Sequence, residues 1–357
     1  MRKKFDEIFE DCTKLGTKIK TDEYHSNGKH PIIDQGQEMV AGFTDLEDGL
    51  LDAVPAIVFG DHTRIIKYVD CPFFLGADGV KVLRSKVPNA NYRYLYYALK
   101  NAKIPNTGYN RHYKWLKELE IEYPPIDQQV KTVKVLDKVE SIIYNRQNQL
   151  QKLDELVKAR FVEMFGGIHD SSLYPYVPVK ELTHVISGGT QSRDVLEYWC
   201  DGTIPWVKTT ELQNKIITEV DEHITSKGLA ASSAKIVPPN TTLIAMYGQG
   251  KTRGMTGYLG ISASTNQACA CILPSPEINS VYIWKYFELS YDKLRNMAKG
   301  GNQPNLNGNM IKNFPVLVPP IKRQEEYVQF VNQVDKSKAV EGLLFVVVPI
   351  GIIYKPI

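Results

Sequence analysis

Ile121-Glu-Tyr-Pro-Pro-Ile-Asp-Gln-Gln129 returns 195 residues later as Val316-Leu-Val-Pro-Pro-Ile-Lys-Arg-Gln324. At that offset Pro124, Pro125, Ile126, Gln129, Val133 and Val139 meet Pro319, Pro320, Ile321, Gln324, Val328 and Val334. Upstream, Asn110 meets Asn305 and Lys117 meets Lys312. At slightly shorter offsets Gly16-Thr17 resembles Gly189-Thr190, and the run from Phe59 to Arg64 resembles that from Tyr247 to Arg253. One shared Pro-Pro pair arises easily by chance; several landmarks in one order do not. The chain therefore reads as a tandem repeat of one unit.

Each unit begins with short β-rich runs, such as Ala56 to Phe59 and Thr242 to Met246, bounded by Gly and Pro. A helix follows, Asn91 to Asn101 or Val281 to Lys299, and then a strand runs into Pro-Pro, whose second proline suits a helix start. Beyond Pro125 the apolar residues Val135, Val139, Ile142, Leu150, Leu153, Val157, Phe161 and Met164 fall on helical spacing, and Gly166-Gly167 ends the run. Such a helix is about 60 Å long at 1.5 Å per residue. So long a seam calls for a long partner, and the helix starting at Ile321 is the antiparallel candidate. The expected class is α+β. Two mixed α/β domains, residues 1–125 and 167–320, are separated by a helical spacer, 126–166, whose pairing with a C-terminal helix, 321–357, makes an antiparallel coiled coil. After about residue 341 the pattern gives way to the apolar run Leu343 to Ile353, so this end reads as truncated or altered.

Composition is that of an ordinary globular chain, 43% hydrophobic and 23% charged. Five cysteines, an odd number without a CxxC pair, argue against a disulfide framework or a zinc site. The basic start Met1 to Lys4 is followed by no apolar segment, and Pro349 and Gly351 interrupt the one long apolar run, so neither a signal peptide nor a membrane span is read. A cytoplasmic protein is expected. The net charge is only +3, but charge is segregated. Residues 1–61 hold 13 acidic against 7 basic side chains, residues 62–117 hold 11 basic against 2 acidic, and residues 227–299 hold 8 against 3. The first basic stretch is interleaved with Tyr92, Tyr94, Tyr96, Tyr97, Tyr109, Tyr113 and Trp115, which suits a polyanion.

The two Pro-Pro-Ile-x-x-Gln helix starts, the run Tyr109 to Leu116, the central segment Gln149 to Arg160, Gly202-Thr-Ile-Pro-Trp-Val207 and Tyr247-Gly-Gln-Gly250 together resemble the specificity subunits of type I restriction–modification systems. The resemblance covers all but about the last fifteen residues. It implies two target-recognition domains, each reading one half of a split double-stranded DNA sequence. It also implies two long helices that dock two copies of an adenine methyltransferase subunit, with room for a restriction and translocation subunit. The family's chemistry belongs to those partners, and no cofactor is expected here. An assembly protein that binds nucleic acid without sequence preference is the alternative.

Enzyme readings fit poorly. Gly250-Lys251-Thr252 lacks the glycine five residues upstream that a phosphate loop needs, since position 245 is alanine. Each Pro-Pro pair follows Tyr123, Val237 or Val318, not the Asn or Asp of an adenine methyltransferase tetrapeptide, and no acidic-x-Lys nuclease pattern occurs. The seven histidines are scattered without metal-ligand spacing. As candidate DNA contacts we take His62, Thr63, Arg64 and Lys67 with Tyr109, Asn110, Arg111 and His112 in the first unit. In the second they are Lys208, Tyr247, Gln249, Lys251, Thr252 and Arg253 with Asn302, Gln303 and Asn305. Arg and Gln can make paired bonds to guanine and adenine edges, and lysines suit phosphates. Val135, Val139, Ile142, Leu150, Leu153, Val157, Phe161 and Met164 are the expected helix-packing set.

Overall fold

A computed structural model describes residues 1–76, 78–108, 110–298 and 304–346, with side chains to residue 338. Tyr109, Asn302, Gln303 and the end of the apolar tail lie outside the described residues. The chain divides into two compact units, Met1–Asn145 and Arg146–Ile357.

In the first unit, β1 (Arg2–Lys4) pairs antiparallel with β9 (Glu120–Glu122), and the short helix α1 (Phe5–Ile8) follows β1. An antiparallel four-stranded sheet has the order β2 (Phe9–Asp11), β8 (Val80–Ser85), β5 (Ala56–Gly60), β6 (Ile66–Val69). A smaller sheet sets β3 (His30–Ile33) between antiparallel β4 (Gly42–Thr44) and parallel β7 (Phe74–Leu75). Helices α2 (Tyr92–Lys100), α3 (Tyr113–Lys117) and α4 (Ile126–Phe165) complete it, the last continuing into the second unit. The core joins Phe5 and Phe9 to Ile57, Phe59, Leu95, Leu99 and Leu116.

The second unit repeats this plan. β10 (Tyr176–Pro178) pairs with β19 (Pro315–Leu317), and α5 (Val179–Leu182) follows β10. The larger sheet runs β11 (Val185–Ser187), β18 (Cys269–Ile272), β15 (Thr242–Ala245), β16 (Thr256–Leu259), with β13 (Lys215–Ile217) added in parallel at its edge. The smaller sheet sets β12 (Ile204–Val207) between antiparallel β14 (His223–Ile224) and parallel β17 (Ser264–Thr265), and α6 (Ser226–Ala230) follows. The remaining helices are α7 (Ser280–Leu289), α8 (Tyr291–Met297), α9 (Gly308–Lys312) and α10 (Ile321–Val346). The single helix expected from Val281 to Lys299 is thus two, parted at Ser290, whose hydroxyl bonds back to the Tyr286 carbonyl at 2.7 Å. The helical backbone from Ile321 runs on to Val346, beyond the point near residue 341 where the amphipathic pattern gives way. A loss of amphipathic pattern removes packing signal without removing helix propensity.

The repeated motif has a structural cause. The buried Gln129 and Gln324 side chains each donate from Nε2 to the carbonyl of the first proline, Pro124 or Pro319, at 2.8 Å in both units. They fasten the first turn of each helix to the proline that leads into it, whose carbonyl needs a donor. The hydroxyls of Tyr94 and Tyr282, the third residues of α2 and α7 counted from N-caps Asn91 and Asn279, reach the carbonyls of Glu122 and Leu317, again at 2.8 Å in each.

α10 lies antiparallel to the second half of α4. Lys338 pairs with Asp154 at 2.5 Å, Arg160 lies 5.7 Å from the Phe330 ring, and Tyr327 meets the rings of Phe161 and Phe165. Val157, Phe161 and Met164 are buried there and Leu153 packs against them. Among the described side chains the seam does not take in the whole expected stripe. Val139 and Leu150 are half-buried, and Val135 and Ile142 are each 51% exposed. Helical spacing identifies a face without saying where a partner ends. Among the described residues no helix is long and apolar enough to cross a membrane.

Two titration features belong to the fold. Cys269 and Cys271 are buried, which pushes both thiols up, Cys271 to about 11. Cys71 and Cys200 are exposed and Cys12 is partly buried. Burial, with help from the Lys293 charge, pulls His169 from 6.5 down to about 4; its ring packs edge-on to Tyr286 and Phe314. The unfolded chain therefore takes up this proton first. The second unit should lose stability as pH falls from about 6.5 towards 4, and His169→Gln should flatten that part of a denaturant midpoint-versus-pH curve.

Candidate nucleic-acid interface

In the first unit the β5–β6 turn is closed by Gly60 and Arg64: the Gly60 amide donates to Ile65 and the Arg64 amide to Gly60, at 2.8 and 2.7 Å. Arg64 holds φ of 63°, a conformation that costs a non-glycine residue about 1 kcal/mol or more and must be held by its surroundings. Gln35 supplies much of that hold. Its carbonyl accepts from the Thr63 hydroxyl at 2.7 Å, its Oε1 accepts from the His62 amide at 3.2 Å, and its Nε2 donates to the Asp78 carbonyl at 3.0 Å. The Arg64 guanidinium donates to the Ile104 carbonyl at 3.3 Å, joining the turn to the loop before α3. Asp61 completes the frame: its carboxylate accepts from the Tyr113 amide at 2.7 Å and its carbonyl from the His112 amide at 2.8 Å.

His112 and Lys67, expected among the DNA contacts, are instead enclosed within the first unit. His112 is wholly buried, with Nδ1 2.9 Å from the Asp61 carbonyl and Nε2 near Thr107. Lys67 is buried because its strand position points it inward, where its ammonium donates to the Glu38 carbonyl at 2.5 Å and faces Asp34 at 3.4 Å. Burial pulls the Lys67 ammonium below its ordinary range. Neither side chain is placed to meet DNA. Thr63, Asn110 and Arg111 are exposed on the surrounding loops, and His62 and Arg64 are half-buried.

In the second unit the matching β15–β16 loop carries Gly248, Gly250 and Gly254 at φ of 146°, 58° and 86°. Three positive angles in seven residues curl the loop so that Tyr247, Gln249 and Lys251 stay exposed and Thr252 half-buried. Arg253 turns back: its guanidinium donates to the Pro304 carbonyl, as Arg64 does to Ile104. From the far side the Tyr291 hydroxyl donates to the Lys251 carbonyl at 2.7 Å and Arg295 to the Arg253 carbonyl at 3.0 Å. Asn305, next to the latch, is half-buried. Lys208 stands apart from this loop. It begins a short turn of 3₁₀ helix and pairs with Glu222 at 2.9 Å and Asp221 at 3.5 Å, so its charge is committed within the domain.

Both arginines singled out as base readers therefore serve first as latches between two loops. Arg253→Ala should raise amide exchange across residues 249–255 about tenfold in DNA-free protein, since a charge-assisted bond contributes roughly 1.5–3 kcal/mol. Unchanged exchange would return Arg253 to the role of free reader.

Sequence reading missed Gln35, whose three bonds organise the first turn, because an amide beside glycine in a loop looks like any other polar residue. It also missed Arg193, which lies 3.8 Å from the Trp199 ring and 5.0 Å from the Trp206 ring and pairs with Glu222. The paired tryptophans could have signalled it. Among the described residues no group of three or more His, Cys, Asp or Glu could hold a metal ion.

Both units, with the helix that follows each, match one family model. The type I restriction modification DNA specificity domain covers residues 1–155 and 173–342. The chain belongs to that family. A specificity-domain chain of this kind is similar to the Escherichia coli type I restriction enzyme EcoR124I/EcoR124II specificity subunit, 22% identical over 91% of this chain and 84% of that one. It is also similar to the StySPI specificity subunit of Salmonella potsdam, 24% identical over 45% of this chain and 37% of that protein. The fold is shared with the type I restriction–modification S subunit from M. genitalium, with TM-score 0.54 and 16% identity over 96% of this chain and 93% of that one. A chain from a structure on complex assembly and conformational transition of the type I R-M system matches with TM-score 0.51 and 14% identity, over 95% and 91% of the two chains. The specificity-domain family thus accounts for both repeats and for the two mixed domains joined by long helices.

Proposed function

We propose that this chain is the sequence-reading subunit of a type I restriction–modification complex, acting in the cytoplasm. Residues 1–125 and 167–320 serve as two target-recognition domains for a split DNA target. Methyltransferase subunits, and restriction and translocation subunits where present, supply the chemistry. The observation that carries this reading is the duplicated latch within a family whose model matches twice. Each unit ties a polar loop to its own second loop, through Arg64 to Ile104 and Arg253 to Pro304. Base discrimination requires such preorganised groups, whereas phosphate binding alone does not.

The residues proposed to touch DNA are His62, Thr63, Asn110 and Arg111 in the first domain, and Tyr247, Gln249, Lys251 and Thr252 in the second. Gln249 suits an adenine edge, and Lys251 and Arg111 suit phosphates or guanine. Arg64 and Arg253 position them. The test is methylome sequencing of a host that expresses this chain with its methyltransferase subunit. A two-part adenine-methylation motif with a fixed gap is the expected result. Methylation without a motif would favour an assembly protein with no sequence preference.

A further inference from the structure

Where the first domain meets its long helix, apolar contact is thin. Among the described residues, only Val133 and Leu136 of α4 pack on the first core, and Ile142 and Tyr144, further along, are exposed. Apolar contacts are also non-directional, so by themselves they let a helix pivot. Beyond Leu136 the contact between the first globule and α4 is polar. Arg93 of α2 donates from Nε to Asp137 at 3.1 Å and from Nη2 to Glu140 at 3.3 Å, and pairs with Asp137 through Nη2 as well. Its guanidinium lies among three rings, Tyr68, Tyr97 and Tyr96, at 4.9, 5.0 and 5.2 Å. The Tyr97 hydroxyl is 2.7 Å from Asp137 and 2.9 Å from Glu140, and Lys100 closes on Glu140 at 2.7 Å. A partly exposed planar fork held among three rings has fewer orientations open to it than a lysine in a flexible surface ion pair.

The second unit builds the same joint from other residues. Counted from N-caps Asn91 and Asn279, Lys285 stands where Tyr97 stands, and counted from the Pro-Pro motif, Asp335 stands where Glu140 does. Lys285 is nearly buried, 3.0 Å from Glu288 and 3.8 Å from Asp335 of α10. A polar clasp between globule and helix therefore appears at both copies of the joint, although its chemistry differs.

We propose that Arg93 is a positioning residue that sets the direction in which α4 leaves the first globule, and through it the gap between half-sites that the complex accepts. The inference rests on the two-part target proposed above. From Glu140 to Phe165 the helix covers about 38 Å at 1.5 Å per residue. A tilt of about 5° at its base moves the far end by about 3 Å, close to one base-pair step of roughly 3.4 Å. The clasp thus needs to yield only slightly for the neighbouring gap to become acceptable.

The test compares methylomes of the wild-type chain and Arg93→Ala, each expressed with the methyltransferase subunit. Wild type should methylate one gap. Arg93→Ala should keep both half-site sequences while methylation at gaps one base pair shorter or longer rises at least tenfold. Arg93→Lys, which keeps the charge without the fork, should stay relaxed. If Arg93→Ala does not fold, Asp137→Asn with Glu140→Gln decides, since it opens the same clasp from the helix side and leaves α2 intact. A folded variant with the wild-type gap, or one that loses methylation at every gap, overturns the proposal while the two-part reading stands. A wild-type chain that shows no two-part motif overturns that reading and this inference with it.

Discussion

Phe161→Ala should destabilise the second unit by about 3–5 kcal/mol, the usual loss for a large aromatic taken from a packed core. Phe161 is wholly buried, with ring neighbours Phe165 and Tyr327 at 5.0 and 5.5 Å and Tyr286 and Tyr282 at 5.9 and 6.1 Å. It is the place where α4, α7 and α10 share one aromatic cluster, so its removal opens a cavity among three helices at once. Urea unfolding followed by far-UV circular dichroism reads the effect as a shifted midpoint. Ile142→Ala, on the same helical stripe but half exposed, should change stability by no more than roughly 0.5 kcal/mol. Equal losses from the two variants would show that the packed seam extends well beyond residues 153–165.

Adding four residues between Asn148 and Gln149 should abolish methylation at the wild-type target almost completely. The insertion lies after the Arg93 clasp and before Leu153, so neither domain core is touched. It lengthens the helix by about 6 Å at 1.5 Å per residue. That equals roughly two base-pair steps. New methylation at a gap longer by one or two base pairs is the expected signature, read by methylome sequencing. Retention of the original gap would mean that α4 does not measure the distance between half-sites.

The repeat and its boundaries were legible because they rest on residues whose backbone chemistry is unusual. Proline has no N–H to satisfy, so Pro125 and Pro320 suit the start of a helix, and Gln129 and Gln324 recur because their side-chain amides serve the carbonyls of Pro124 and Pro319. The class of fold followed from those landmarks. The candidate interface was less legible, because a basic residue in a loop looks the same whether it faces solvent or a carbonyl. Arg64 and Arg253 were singled out for their chemistry and proved to bind backbone. Lys67 lies on β6 and points inward, and His112 is sealed between Asp61 and Thr107, facts set by strand register and loop closure. Periodicity identified the buried face around Phe161 but could not tell that Val135 and Ile142, on the same stripe, stay exposed.

The placement of the five thiols gives the molecule a built-in measuring device. Cys269 and Cys271 are sealed inside the second sheet, and burial also raises the Cys12 thiol. Maleimide dyes should therefore attach first at the exposed Cys71 and Cys200, one in each compact unit. Donor and acceptor dyes on the native chain would then report the separation of the two recognition halves by energy transfer, with no cysteine added or removed. The same pair would register, molecule by molecule, whether that separation changes when DNA or an enzymatic partner arrives.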